Sequence, residues 1–187
     1  MNIRLASPIT YDSIVDGPGL RAVIWTQGCN HNCKGCHNPQ THDTCGGYEI
    51  DSQEIISKIK KLRLHRGITL SGGEPFMQSE ALLDIAKESK KLNLDVWAYT
   101  GYTFEELIDK KNPNYFSNIN LLRNIDVLVD GRFIEAKKDI TLKFRGSSNQ
   151  RIIDVKKSLE NKRICFYEEY MREDLYIAKI VSIFFIY

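Results

Sequence analysis

The chain has 187 residues, 42% hydrophobic and 27% charged, an ordinary soluble composition and enough for one domain that buries roughly 70% of its unfolded surface. Lys and Arg total 26 against 24 Asp and Glu, a net charge of +2, so no long-range field points to nucleic acid or a membrane as the main partner. Residues Met1 to Pro8 lack the apolar run of a signal peptide, and the expected location is a reducing cytoplasm, where free thiols survive.

In chain order, an extended segment ends at Asp16-Gly17-Pro18-Gly19, a turn whose glycines permit positive φ and whose proline fixes it. Arg21 to Gln27 is β-branched and aromatic enough for a buried strand, and it delivers the loop Cys29-Asn30-His31-Asn32-Cys33-Lys34-Gly35-Cys36-His37-Asn38. Asp51 starts a helix with Glu54 in capping-box position and Ile55, Ile56, Ile59 and Leu62 on one face. Ile68 to Ser71 reads as a short strand ending in Gly72-Gly73-Glu74-Pro75, and Ser79 can cap a helix with Leu82, Ile85 and Ala86 inward. Asp95 to Thr100 is a third strand. Thr103-Phe104-Glu105-Glu106 is a capping box for a helix that cannot pass Asn112-Pro113, and a shorter helix near Asn118 to Arg123 leads into a strand over Ile125 to Asp130. Strands alternating with helices imply an α/β fold with a parallel sheet. The active site of such a fold forms at the C-terminal strand ends, and Cys29, Gly72 to Glu74, Thr100 and Asp130 each fall just past one.

Three thiols at C-x3-C-x2-C spacing must converge in one loop, where they bind metal or form a disulfide. A structural zinc site closes with four ligands, and a disulfide framework wants an even count in a secreted chain. Three thiolates suit a cubane iron-sulfur cluster whose fourth iron is open to substrate. Zinc with His31 or His37 as fourth ligand is the alternative reading of the triplet alone. Cys45 and Cys165 lie outside the cluster of thiols and read as ordinary free thiols; His42 and His65 read as surface or loop histidines; Trp97 and Tyr99 can simply fill the core.

The cysteine loop, preceded by Val15-Asp16-Gly17-Pro18-Gly19 and followed by Ser71-Gly72-Gly73-Glu74-Pro75, resembles the radical S-adenosylmethionine enzymes, and within them the activators of glycyl-radical enzymes. Trp97 to Tyr102, Val127 to Phe133 and Arg145 to Arg151 resemble the activators of anaerobic ribonucleoside-triphosphate reductase in particular, as does Gly35, where the wider superfamily usually carries an aromatic residue. The resemblance spans roughly Ile14 to Asp154.

It implies an open partial (β/α) barrel over residues 1-155, with 156-187 an extension packed on the same domain. It implies a 4Fe-4S cluster on Cys29, Cys33 and Cys36, with S-adenosylmethionine chelating the open iron. Reductive cleavage there gives methionine and a 5′-deoxyadenosyl radical that takes a glycine Cα hydrogen from the reductase. Gly35, Cys36, His37, Gly72, Gly73 and Glu74 would line the cofactor pocket, with Asn38, Thr100, Asp130 and Arg132 as further contacts. Reduced flavodoxin or a similar donor would supply the electron. An activator of a pyruvate formate-lyase-like enzyme is the nearest rival, against which the short chain and the Arg145 to Arg151 motif argue; a non-catalytic metal-binding or redox module is the rival from another class. Lys156 to Asp174 reads as helical or loosely packed. Ile177 to Tyr187, apolar apart from Lys179 and Ser182, is about half the ~20 residues needed to span a bilayer, so a docked strand or helix is expected.

Overall fold

The four strands expected from the sequence lie side by side and parallel, in a computed structural model that describes residues 1–171. They are β3 (Arg21–Thr26), β5 (Gly67–Gly72), β6 (Asp95–Tyr99) and β7 (Val127–Asp130), registered so that Ile24 faces Leu70, Ile68 faces Val96 and Ala98 faces Leu128. Four further strands are antiparallel and lie outside this core: β1 (Asn2–Leu5), β2 (Thr10–Ser13), β4 (Tyr48–Asp51) and β8 (Arg151–Asp154). The resulting eight-stranded sheet runs β4-β1-β3-β5-β6-β7-β8, with β2 paired to β3, and does not close on itself. The all-parallel expectation is thus corrected at both edges. β2 and β4 carry mostly exposed residues with no alternating apolar signal, and each edge strand is only four residues long.

Alternation along each strand divides the core in two. Ala22, Ile24, Ile68, Leu70, Val96, Ala98 and Leu128 face the helices, α1 (Ser52–Ile59), α2 (Ser79–Lys91), α3 (Phe104–Leu107) and α4 (Tyr115–Leu122). Trp97, Val127, Val129 and Ile152 face the other side, where Tyr170 and Phe144 cover them. Trp97 is therefore core, and Tyr99, partly buried, packs against the same cluster.

The helix ends follow their sequence signals in part: Glu54 makes no capping box on α1, and α3 ends at Leu107, short of Asn112-Pro113. Asp51 caps α1 by accepting from the Gln53 N–H, and Thr103 and Glu106 form the reciprocal box on α3. Ser79, expected as a cap, is instead the first residue of α2, and its hydroxyl donates to Asn118 Oδ1 at 2.9 Å. The cap was misplaced because Pro75–Gln78 form a 3-10 turn, capped by the Glu74 carboxylate, that runs directly into α2. Leu62 lies beyond α1 yet still packs on its core. After β8, helix α5 (Val155–Asn161) accounts for part of the Lys156 to Asp174 stretch. The end of that stretch and all of Ile177 to Tyr187 lie outside the described residues. Among the described residues no helix is long and apolar enough to cross a membrane.

Candidate iron-sulfur and cofactor site

Strand β3 ends at Thr26, and the chain leaves the sheet edge through Gln27 and Gly28 into the cysteine loop. Backbone bonds fix the loop's base: Gly28 N–H donates to the Thr41 carbonyl and Cys29 N–H to that of His42. Strand β5 ends beside it. The Gly73 N–H donates to the Thr26 carbonyl at 2.7 Å and the Glu74 N–H to the Gly28 carbonyl at 2.8 Å, so the Gly-Gly-Glu loop and the cysteine loop share a backbone seam. A β-carbon on Gly73 would overlap the Gly28 carbonyl oxygen. The glycine is required by close approach of backbone, with no positive φ at this position.

These loops wall a cavity of about 460 Å³ at the C-terminal strand ends. Cys29, Cys33, Cys36, His37, Asn38, Gly72, Gly73, Glu74 and Thr100 all line it, as do Val15 and Asp16 of the Asp-Gly-Pro-Gly turn. That turn is fastened to the sheet: Thr69 Oγ1 donates to the Asp16 carbonyl at 2.7 Å, and the buried Arg21 donates to the Pro18 carbonyl and to Thr69 Oγ1. Tyr99 also faces the cavity. Burial pushes its hydroxyl well above the ordinary tyrosine range, and the Asp16 carboxylate adds to the effect, so the phenol stays protonated.

Three expected residues stand outside the cavity wall. Gly35 adopts φ +72° and passes beneath Phe133 and Glu135, where a β-carbon would meet Glu135 Oε1 at 3.1 Å. Asp130 is fully buried, and its carboxylate accepts from Phe104 N–H at 2.7 Å and from Arg151 Nε at 2.8 Å. Arg132 is exposed on the loop after β7; its positive charge favours the Cys33 thiolate.

Each thiol has a backbone N–H directed at it. The Asn38 N–H lies 3.4 Å from Cys36 Sγ; His31 and Phe133 supply the corresponding donors to Cys29 and Cys33. Burial nevertheless holds the Cys29 and Cys33 thiols above their ordinary value, with the two N–H groups working against it. Phe133 also packs its ring on His37, 5.0 Å between centroids, so the loop after β7 roofs the cysteine loop.

The donor set fits an iron-sulfur cluster: three thiols around one shared cavity supply the sulfur ligands such a cluster takes. His42 adds to this fit. Read from sequence as a surface or loop residue, it lines the cavity with its Nε2 buried and without a partner among the described residues, a costly arrangement unless a bound group supplies one. Cys45 and Cys165 are free thiols away from the cavity. His65 sits in a loop with its Nε2 3.3 Å from Asp12. His31, Gly101, Phe133, Phe144, Gly146 and Gln150 also line the wall; the motifs around Phe133, Gly146 and Gln150 were visible only through the family resemblance.

The 4Fe-4S single cluster domain family matches residues 15–153. The anaerobic ribonucleoside-triphosphate reductase-activating protein of Vibrio cholerae is 38% identical over 160 residues, covering 81% of this chain and 97% of that protein. The protein of the same name from Escherichia coli K12 is 37% identical over 159 residues, 80% and 96% of the two chains. That of Enterobacteria phage T4 is 30% identical over 158 residues, 77% and 93%. At this identity and coverage the chain belongs to the family of anaerobic ribonucleoside-triphosphate reductase-activating proteins, with its 4Fe-4S domain spanning the cavity.

Proposed function

We propose that this chain activates an anaerobic ribonucleoside-triphosphate reductase by generating a glycyl radical on it, as a radical S-adenosylmethionine oxidoreductase. The observation that carries the reading is the meeting of three thiols with the Gly72-Gly73 backbone at one cavity. In this reading the sheet is an open partial (β/α) barrel, residues 1-155 are the catalytic domain, and 156-187 extend it.

Cys29, Cys33 and Cys36 hold the 4Fe-4S cluster as thiolates, and the N–H groups of His31, Phe133 and Asn38 orient their sulfurs. Gly72 and Gly73 present backbone to the S-adenosylmethionine methionyl group, with Cys36, His37 and Asn38 on the facing wall. Glu74 and Thr100 shape the strand ends between them. Gly35, Asp130 and Arg132 act from outside the cavity on the loops that form it. His42 Nε2 donates to an acceptor on the bound groups, and Phe133 with His37 shields the site from water. When bound, cluster and cofactor together supply one-electron reduction and hydrogen-atom abstraction, which no side chain here can perform alone. The reductase is the protein substrate, and flavodoxin or a similar small electron carrier is the donor; neither nucleic acid nor a membrane is required, and the cytoplasm is the setting.

Anaerobic reconstitution with iron and sulfide, followed by electron paramagnetic resonance of the reduced protein with and without S-adenosylmethionine, tests this. The expected result is a cluster signal that changes when the cofactor is added, together with 5′-deoxyadenosine formation. A cluster indifferent to the cofactor overturns the reading in favour of a redox module.

A further inference from the structure

The Glu74 carboxylate is fully buried and accepts four hydrogen bonds, enough to occupy its lone pairs. Oε1 accepts from the Phe76 N–H at 2.9 Å and the Thr100 hydroxyl at 2.8 Å. Oε2 accepts from the Gly101 N–H at 2.8 Å and faces His31 Nε2 at 2.8 Å. Three of these donors belong to the loops that end β5 and β6. The fourth, His31, lies between Cys29 and Cys33. Its ring is 3% exposed, meets Tyr102 edge-on at 4.5 Å between centroids, and rests where a β-carbon on residue 101 would collide with it. Asn30 Nδ2 donates to the Tyr102 hydroxyl at 2.9 Å beside it.

We propose that Glu74 and His31 are a positioning pair: the carboxylate, wholly engaged by protein donors, reaches no ligand itself and instead fixes the thiol-bearing loop at one distance from the Gly72-Gly73 backbone. The inference rests on the cofactor reading above. A cluster and a cofactor held by different loops react only if the loops keep a fixed separation, and an ångström of misplacement is costly. Backbone bonds from Gly28 and Cys29 hold the base of the cysteine loop; the Glu74–His31 bond holds its middle. The loop can therefore still form and load iron without the imidazole, while losing its set against the β5 and β6 ends.

The test uses the reconstituted full chain. His31→Ala should keep iron and sulfide content and the cofactor-free resonance signal close to the parent, yet bind S-adenosylmethionine about tenfold more weakly, as expected for loss of a buried hydrogen bond to a carboxylate. His31→Gln, whose amide can donate to Oε2, should recover most of that affinity. Glu74→Gln turns its amide toward the Gly101 and His31 donors and should weaken binding similarly; adding His31→Ala to it should cost little more. A parent-like titration in His31→Ala overturns the proposal. So does loss of iron in step with melting temperature, which marks a merely structural residue, or failure of His31→Gln to recover binding. If the parent itself ignores the cofactor, the function reading falls and this inference falls with it; a responsive parent whose titration is unchanged in His31→Ala overturns this inference alone.

Discussion

The Gly28 carbonyl oxygen accepts the Glu74 N–H at 2.8 Å and occupies the space a β-carbon on Gly73 would need. A glycine that merely lines the cofactor pocket, as the family resemblance implies for Gly73, would make Gly73→Ala a binding defect with the cluster intact. The geometry reverses this. The methyl group must displace the residue that leads into Cys29, so Gly73→Ala should lower stability by about 1–3 kcal/mol and lower iron content along with cofactor binding. Urea unfolding and iron analysis of the same preparation check it; a fully loaded, fully stable variant would show that the seam can open without cost.

The three cavity thiols are expected to be jointly required. Replacing Cys29, Cys33 or Cys36 with Ala should abolish cluster absorbance and cofactor cleavage together, whereas Cys45→Ala and Cys165→Ala, away from the cavity, should leave iron content unchanged. Normal clusters in all three single variants of the first group would refute the ligand assignment.

Arg21 is fully buried where β3, β5 and β6 begin, paired with Asp95 at 2.5 Å and bonded to the Ile68 carbonyl and Thr69. Burial lowers its pKa and Asp95 opposes that. Arg21→Met should destabilise by about 3 kcal/mol, the low end for a broken buried pair, because Arg66 still lies 3.1 Å from Asp95. Arg21→Met combined with Asp95→Asn should cost less than the sum of the two, read from denaturant midpoints.

Glu105 supplies the pH dependence. The Arg151 guanidinium hydrogen-bonds its carboxylate and lowers its pKa from 4.5. A depressed folded-state pKa contributes stability above the unfolded value, and that contribution is lost as pH falls through the folded one. Glu105 is 57% exposed, so Glu105→Gln should cost under about 1 kcal/mol at neutral pH. The gap between variant and parent should narrow as the pH falls below 4.5. A gap that is constant with pH would assign the loss to packing.

Periodicity and punctuation made the parallel core legible: Arg21 to Gln27, Ile68 to Ser71 and Asp95 to Thr100 are apolar runs closed by glycine or a cap, and each became a strand within a residue or two. Cysteine spacing located the site, because three thiols in one loop have few other uses. The rest was hidden for physical reasons. Tyr48–Asp51 is held by pairing with β1, a long-range contact that leaves no pattern on four mostly exposed residues. His42 looks like any loop histidine until the fold buries its Nε2, and Glu74 looks like a ligand contact until Thr100, Gly101, Phe76 and His31 are seen around it.

The cavity wall begins at Val15 and is completed by Gly146 and Gln150, just before β8. On a ribosome adding about 5–20 residues per second, the three thiols emerge roughly ten seconds before the residues that enclose them. During that interval they are open to oxidants and to any thiophilic metal nearby. Their enclosure is therefore a late event of synthesis, set by the last residues of the cavity wall.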